Sequence, residues 1–167
     1  DKLRFEPRDS GGLEFSCSDP SLPTGESNLV VKAVRSLENH LDRTFNVVIS
    51  LEKHIPSGAG LGGGSSDAAA TYRGLNELFE LGLSNEMLAE LAGEIGSDIP
   101  FFVYGSICDC RGRGEIVEPI DLDLNLPILL LKPSFGVETP GAYKRWKDSH
   151  ELEGVSYEVQ TLSDGQV

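Results

Sequence analysis

The chain has 167 residues, of which 39% are hydrophobic and 25% charged, and this composition is typical of a globular protein with its own core. No apolar run approaches the roughly 20 residues that span a bilayer, and residues 1–10 lack the apolar stretch of a signal peptide, so we expect no membrane partner. With 27 acidic against 14 basic side chains, the formal net charge of −13 excludes nucleic acid as the main partner. A small nucleotide is compatible with this charge, because backbone N–H groups and one or two cations are enough to hold it.

The first third of the chain is predicted to form two strands, a helix and a third strand. Apolar and polar residues alternate on both sides of the turn at residues 9–12, which predicts a β-hairpin. Ser27 or Asn28 is predicted to cap a helix, since apolar residues recur at helical spacing over residues 29–41. Alternation over residues 47–52 predicts a half-exposed strand.

Two helices are predicted in the middle of the chain. The glycine-rich segment 56–64 leads into a helix of small residues, which we expect to be capped by a serine and to close near Gly82. A further helix is predicted to begin after Ser84 or Asn85 as its cap and to end at Gly96.

Elements of several kinds are predicted after residue 96. Asp98 lies at the start of a short helix, because Pro100 suits a first helical turn. The turn at residues 111–114 predicts a strand pair, the apolar run 128–131 predicts a buried strand, and Thr139 begins a predicted helix that contains Tyr143 and Trp146. Strands and helices are mixed without regular alternation, so the predicted fold class is α+β.

Glycine dominates one short segment, where five of the seven residues from Gly58 to Gly64 are glycine. Glycine accepts left-handed φ values and has no Cβ that would keep a ligand away from the backbone. Such a segment at the start of a helix presents N–H groups and the positive end of the helix dipole to an anion. The sequence therefore predicts a phosphate-binding loop.

Two common nucleotide motifs fit this segment poorly. The Walker motif needs a lysine after its last glycine, but Gly64 is followed by two serines. Gly58, Gly60 and Gly63 do satisfy the dinucleotide pattern G-x-G-x-x-G, which also requires a fully buried parallel strand before it and an acidic residue after the next strand. Here the preceding strand is half polar and the helix is followed by another helix, which disfavours a dinucleotide site.

The string PSGAGLGGGSSDAAA, residues 56–70, resembles the second motif of the GHMP kinases, in the form with an extra glycine that the diphosphocytidyl-methylerythritol kinases use. The strings GSDIPFF (96–102) and GRGE (112–115) resemble the same family, and the similarity extends over residues 1–147. The resemblance implies a GHMP kinase N-terminal domain of the ribosomal protein S5 domain 2-like fold, with ATP and Mg²⁺ as cofactors. It further implies transfer of the γ-phosphoryl group of ATP to the 2-hydroxyl of 4-diphosphocytidyl-2-C-methyl-D-erythritol (diphosphocytidyl methylerythritol), in the non-mevalonate pathway of isoprenoid synthesis.

The resemblance also implies roles for individual residues. Asp98 matches the catalytic base, or the group that positions the acceptor hydroxyl, and Thr139 and Tyr143 match positions that hold the cytidine portion. The residues implied to bind the nucleotide are Pro56, Gly58, Gly60, Leu61, Gly62, Gly63, Gly64, Ser65, Ser66, Asn28 and Lys53. The residues implied to touch Mg²⁺, directly or through water, are Ser65, Ser66 and Asp67.

A simpler structural role is open for five of these residues. Asn28 and Asp98 could serve only as helix caps, and Lys53 could be a solvated cation at a strand end. Asp67 could be a carboxylate that interacts with the dipole at a helix start. Tyr143 could be an ordinary core residue of an amphipathic helix.

Two GHMP motifs are expected outside the chain. The family's first motif, with its catalytic lysine, should precede residue 1, and its glycine-rich third motif should follow residue 167. We therefore expect an incomplete protein, with residues 1–132 as a partial N-terminal ATP-binding domain and residues 133–167 as the start of the C-terminal domain.

Two other functions are alternatives to phosphorylation of diphosphocytidyl methylerythritol. Another GHMP kinase would act on homoserine, mevalonate or a sugar, but the three glycines before SSDAAA disfavour it. A non-catalytic nucleotide-binding remnant would keep the loop without turnover, and the intact SDIP segment disfavours that alternative. Since the motifs are similar to plant and algal forms, the plastid stroma is the first expected location and a bacterial cytoplasm the second.

Overall fold

A computed structural model describes residues 1–122, 126–132, 141–142 and 144–145. Strands and helices are mixed along this part of the chain without regular alternation, so the predicted α+β class is confirmed. Its elements are β1 (Lys2–Pro7), β2 (Leu13–Cys17), α1 (Leu29–Leu41), β3 (Val47–Glu52), α2 (Gly63–Leu78), α3 (Asn85–Ile95), α4 (Ile99–Tyr104), β4 (Cys108–Arg111) and β5 (Ile116–Pro119).

The first sheet has the strand order β1-β3-β2. Strand β3 runs antiparallel to β1 and parallel to β2, so the predicted hairpin between β1 and β2 is wrong. Asn46, just before β3, explains the insertion: its carbonyl accepts from Arg8 N at 3.0 Å and its Oδ1 accepts from Gly12 N at 2.9 Å. Arg8 and Gly12, on either side of the predicted tight turn, are therefore bonded to the residue that precedes β3, the strand that lies between β1 and β2.

Helices α1 and α2 cover one face of this sheet. Val47, Ile49 and Leu51 of β3 are buried while alternate residues are more exposed, which confirms the half-exposed strand. Gly74 of α2 allows a close approach, because a Cβ there would lie 2.6 Å from Cε2 of Phe5 on β1. The core between the sheet and the helices includes Val30, Ala33, Val34, Leu37, Ala68, Ala69, Tyr72 and Leu75.

Side-chain caps define the starts of α1 and α3. Asn28 Oδ1 accepts from Val30 N at 2.9 Å and Ser84 Oγ accepts from Met87 N at 3.3 Å, so both predicted caps are confirmed. The predicted serine cap of α2 is wrong, because Gly62 occupies the cap position with φ 65° and makes no side-chain cap bond. Helix α2 also ends at Leu78, earlier than predicted.

The later part of the described chain contains the confirmed strand pair. Strands β4 and β5 are antiparallel, with Cys108 opposite Pro119. Residues 128–131 are 62–87% exposed and form no strand, so the predicted buried strand is wrong: no described element covers it.

The predicted helix with Thr139, Tyr143 and Trp146 lies outside the described residues, and the predicted domain boundary between residues 132 and 133 stays a prediction. Among the helices that the structure describes, none has the length and apolarity to cross a membrane.

Candidate active site

Strand β3 leads into a glycine loop, defined here as residues 56–62, which ends just before Gly63, the first residue of α2. The backbone at Gly60 and Gly62 is left-handed, with φ 71° and 65°, a conformation that L side chains rarely adopt. A Cβ at Gly60 would meet nothing within 4 Å, so this backbone is open to a ligand. The loop holds the predicted residues Pro56, Gly58, Gly60, Leu61 and Gly62, and the first turn of α2 holds Gly63, Gly64, Ser65 and Ser66.

The end of the loop is wedged between two other elements. A Cβ at Gly62 would lie 2.6 Å from Cζ of Phe102 on α4. A Cβ at Gly63 would lie 2.8 Å from Cγ2 of Ile55 and 3.0 Å from Nζ of Lys53, just after β3. Side chains are therefore excluded at both positions, and α4 and the end of β3 together fix where α2 begins.

The start of α2 has the chemistry of an anion site. Ser66 N donates to Gly62 O at 2.8 Å and Ser66 Oγ donates to Gly63 O at 2.8 Å. The N–H groups of the residues before Ser66 have no acceptor one turn earlier within the helix, as at every helix start. Gly64 is exposed and Ser65 half-buried, so these donors and the positive end of the helix dipole are accessible to a phosphate group.

Lys53 lies in a buried charged cluster with two carboxylates. Its Nζ is 3.0 Å from Asp67 Oδ2 and 2.5 Å from Asp1 Oδ2, and the three side chains are only 4–5% exposed. The alternative of Lys53 as a solvated strand-end cation is therefore wrong. Asp67 is the fifth residue of α2, beyond its first turn, and it binds a lysine rather than the N–H groups of the helix start.

Asp1 was missed by sequence reasoning. Its Oδ1 accepts from His54 N at 2.6 Å and from Ile55 N at 2.7 Å. Nothing local in the sequence indicates this contact, because it depends on the pairing of β1 with β3. One signal was available at Asp67, an acidic residue followed by three alanines, since a carboxylate on an apolar helix face requires a cation partner.

A cavity of about 180 Å³ adjoins the glycine loop. It brings together four predicted site residues from three separate segments, namely Asn28, Lys53, Gly64 and Asp67. Asn28 also donates from Nδ2 to Pro23 O at 2.7 Å, so both ends of its amide are engaged and it shapes the wall as well as capping α1. Larger grooves of about 520 to 560 Å³ lie elsewhere and contain none of the predicted site residues.

Asp98 lies at the start of α4 but does not cap it. Its exposed side chain makes no cap hydrogen bond, and its Oδ1 lies 3.5 Å from Ser97 Oγ, which is long for a hydrogen bond. The alternative of a plain cap is therefore wrong, and the carboxylate is accessible. Phe102, four residues later and on the same side of the helix, packs against Gly62, so the Asp98 side of α4 faces the glycine loop.

The β4–β5 turn also approaches Asp98. A Cβ at Gly114 would lie 3.7 Å from Asp98 Oδ1. Desolvation, and after it the nearby Cys108, Asp109 and Asp98, raises the pKa of the Cys110 thiol. Asp98 is thus bordered by the hairpin, while Phe102 on the same helix contacts the glycine loop.

The residues predicted to bind Mg²⁺ are described by the structure, whereas those predicted to bind cytidine are not. Within these residues no group of three or more His, Cys, Asp or Glu could hold a metal ion. The hydroxyl of Ser65 and the carboxylate of Asp67 are nevertheless suitable oxygen donors for Mg²⁺, which usually takes one or two protein ligands and completes its shell with phosphate and water. Thr139 and Tyr143, predicted to hold the cytidine portion, lie outside the described residues.

Residues 28–106 match the family model described as GHMP kinases N terminal domain. A 4-diphosphocytidyl-2-C-methyl-D-erythritol kinase of Thermodesulfovibrio yellowstonii is 50% identical over 119 residues, which are 71% of this chain and 42% of that relative. The kinase of the same name from Chloroherpeton thalassium is 39% identical over 167 residues, 98% of this chain and 58% of the relative. The chain thus spans about half the length of the curated relatives that it matches.

A solved structure gives the same relationship. The crystal structure of a 4-(cytidine 5'-diphospho)-2C-methyl-D-erythritol kinase superposes with a TM-score of 0.60 at 37% identity, covering 75% of this chain and 47% of that one. The glycine loop, the start of α2 and Asp98 all lie within the segment that matches the family model. Residues 28–106 of this chain therefore form a GHMP kinase N-terminal domain, as the glycine-rich motif indicated.

Proposed function

We propose that this chain carries the nucleotide-binding part of an ATP-dependent kinase that phosphorylates the 2-hydroxyl of 4-diphosphocytidyl-2-C-methyl-D-erythritol. The observation that carries the proposal is the junction of the glycine loop with the cavity lined by Asn28, Lys53 and Asp67. Phosphate-binding backbone and a side pocket for the rest of the nucleotide are thereby adjacent. The substrate is taken from the names of the relatives, which are 39–50% identical to this chain.

The nucleotide would divide its contacts between two surfaces. When bound, ATP supplies the γ-phosphoryl group and Mg²⁺ neutralises charge on its phosphates. The backbone N–H groups of Gly64 and Ser65 would donate to phosphate oxygens, together with the hydroxyl of Ser65. The cavity is smaller than the 300 Å³ or so of a typical ligand pocket, so it suits one ring system rather than a whole nucleotide.

Magnesium would be held mainly by phosphate oxygens and water. Ser65 is the protein ligand that we propose, because the hydroxyl of Ser66 already donates to Gly63 O. Asp67 is engaged by the ammonium of Lys53, so its contribution would pass through a water molecule.

Asp98 is proposed to accept or orient the proton of the acceptor hydroxyl. An exposed carboxylate without a helix-capping bond is available for this task, and its side of α4 faces the loop. Phosphoryl transfer depends chiefly on positioning and electrostatic stabilisation, so a correctly placed carboxylate is all that this step requires of the side chain. For Thr139 and Tyr143 the proposal of cytidine contacts rests on the family resemblance alone.

The test of this function is ADP release by a protein that carries this chain together with the two motifs expected outside residues 1–167. It is assayed with MgATP and each of three acceptors: diphosphocytidyl methylerythritol, homoserine and mevalonate. ADP release with diphosphocytidyl methylerythritol alone supports the proposal. ADP release with homoserine or mevalonate would show that the proposed substrate is wrong and that the other acceptor is the substrate. Asp98→Asn should lower turnover by about 10²–10⁴-fold without weakening ATP binding. Glu90→Gln, on the exposed side of α3, is the control and should leave turnover unchanged.

A non-catalytic nucleotide-binding module is the alternative. It predicts that MgATP binds but is not consumed with any of the three acceptors. As for location, the bacterial sources of the relatives favour a bacterial cytoplasm over the plastid stroma, and both stay proposals. The proposed partner is the small-molecule substrate.

A further inference from the structure

We propose that Asp1 is a positioning residue for the nucleotide site, whose carboxylate sets the course of the chain from β3 into the glycine loop. The inference rests on the proposed function, because it requires that the loop bind phosphate. The hydrogen bonds of Asp1 go to Lys53, His54 and Ile55 rather than to the loop or the start of α2, so it would act through these three residues.

The carboxylate of Asp1 extends the hydrogen bonding of the sheet. Lys2 pairs with Glu52 at the end of the β1–β3 ladder, and beyond this pair the side chain of Asp1 takes over. It accepts from His54 N at 2.6 Å, from Ile55 N at 2.7 Å and from Lys53 Nζ at 2.5 Å. The side chain is only 4% exposed, so these three donors replace water almost completely.

The residues that Asp1 holds are the same residues that contact the start of α2. Gly63, the first residue of α2, lies directly against the Ile55 side chain and the Lys53 ammonium. Lys53 is also bonded to Asp67, one turn further along α2. A shift of residues 53–55 would therefore move the helix start whose N–H groups are proposed to bind phosphate.

Charge and position predict opposite effects when Asp1 is replaced. A carboxylate near a phosphate site repels the ligand, so the loss of its charge alone should strengthen ATP binding. Loss of the anchor should weaken ATP binding, because the donors at the start of α2 would no longer be held in place. The sign of the change in affinity therefore separates a positioning role from a purely electrostatic one.

The experiment compares Asp1→Asn with the unchanged chain, using calorimetry for MgATP and an NMR titration for adenosine. We expect Kd for ATP to rise by about tenfold, the value of one charged hydrogen bond, and Kd for adenosine to change by less than about twofold. Adenosine is the comparison because it has no phosphate to reach the loop. In the same variant, amide hydrogen exchange at His54 and Ile55 should become faster.

Asp19→Asn is the matched control. Asp19 is a half-buried carboxylate that acts on Lys53 only through space, and its Oδ1 accepts from Ser21 N and Oγ, which an asparagine can also do. It removes the same charge without touching residues 53–55, so Kd for ATP should stay equal or fall. If Asp1→Asn does not fold, Asp1→Glu takes its place, since it keeps the charge but displaces the carboxylate by one methylene.

Equal or tighter ATP binding by the Asp1 variant overturns the positioning role, and so do equal losses for ATP and adenosine. Both results leave the nucleotide site itself intact. If the unchanged chain binds no ATP, the proposed function and this inference fall together, whereas faster exchange at His54 and Ile55 with weaker ATP binding supports both.

Discussion

Lys53 and Asp67 form an ion pair of 3.0 Å that joins the end of β3 to the second turn of α2, with only 5% and 4% of the two side chains exposed. Asp1 bonds to the same ammonium from β1's side. The two carboxylates are tolerated in this buried position because they share the lysine charge and because Asp1 also accepts from His54 N and Ile55 N.

Lys53→Met should therefore lower the free energy of unfolding by about 3–5 kcal/mol, since it leaves two buried carboxylates without their cation. Urea denaturation is the measurement. Lys32→Met, at an exposed position of α1, is the control and should change stability by less than about 0.5 kcal/mol. A loss of under about 1 kcal/mol in the Lys53 variant would show that water already reaches the cluster.

Gly58→Ala and Gly62→Ala separate backbone strain from steric exclusion in the glycine loop. Both residues have φ near 65°, so each alanine should cost about 1–2 kcal/mol of strain. At Gly62 the new Cβ would also meet Phe102, which should add about 1–3 kcal/mol, whereas the space at Gly58 is open. Urea midpoints report the difference, and equal losses would contradict the packing of α4 on the loop.

Ser84→Ala and Asp98→Ala test which helix start depends on its side chain. Ser84 caps α3, so its replacement should lower the free energy of unfolding by about 1 kcal/mol. Asp98 makes no cap bond, and its replacement should change stability by less than about 0.5 kcal/mol. A larger loss at Asp98, measured by the same urea titration, would restore its interpretation as a cap.

Tyr72 should make the protein less stable in alkali. Burial raises the pKa of its phenol from 10.0 to about 12, and its OH donates to Leu91 O at 3.2 Å. Between these values the folded state keeps a proton that the unfolded state loses. The stabilisation is therefore complete below pH 10 and declines as the pH rises towards 12, by about 2–3 kcal/mol in total.

Tyr72→Phe provides the comparison for this alkaline effect. The variant should lack the loss of unfolding free energy that Tyr72 causes above pH 10. Near pH 7 it should be less stable by about 1 kcal/mol, because the Leu91 carbonyl loses the Tyr72 hydroxyl as a donor. Free energies of unfolding from urea titrations at pH 7 to 11 measure both effects. An identical alkaline decline in the phenylalanine variant would assign it to other groups.

Local features of the fold were predictable from the sequence and long-range ones were not. The caps Asn28 and Ser84 were found because a cap depends only on the residues beside it. The pairing of β1 and β2 with β3 was missed, since alternation shows that a strand is half-buried but not which strand it pairs with. The serine cap of α2 failed because Gly62, which is left-handed and pressed against Phe102, starts the helix earlier than the serines suggest.

The same distinction applies to the site. The glycine loop and the position of Asp98 at a helix start were predicted because each is a contiguous motif. The role of Asp1 could not be predicted, as its partners lie at the far end of another strand. The apolar run 128–131 was misjudged for a related reason: hydrophobicity favours burial, but the covering surface must be supplied by other parts of a chain.

The strand order β1-β3-β2 has a consequence for the time at which this site forms during folding. Strand β3 is central, and both of its neighbours come from before α1, so its pairings require closure of chain segments that include the whole of that helix. Helices α1 and α2 can form from local contacts, while the anchored entry to the glycine loop must wait for the slower non-local pairing. A partly folded chain can thus have its helices in place and still be unable to hold a phosphate.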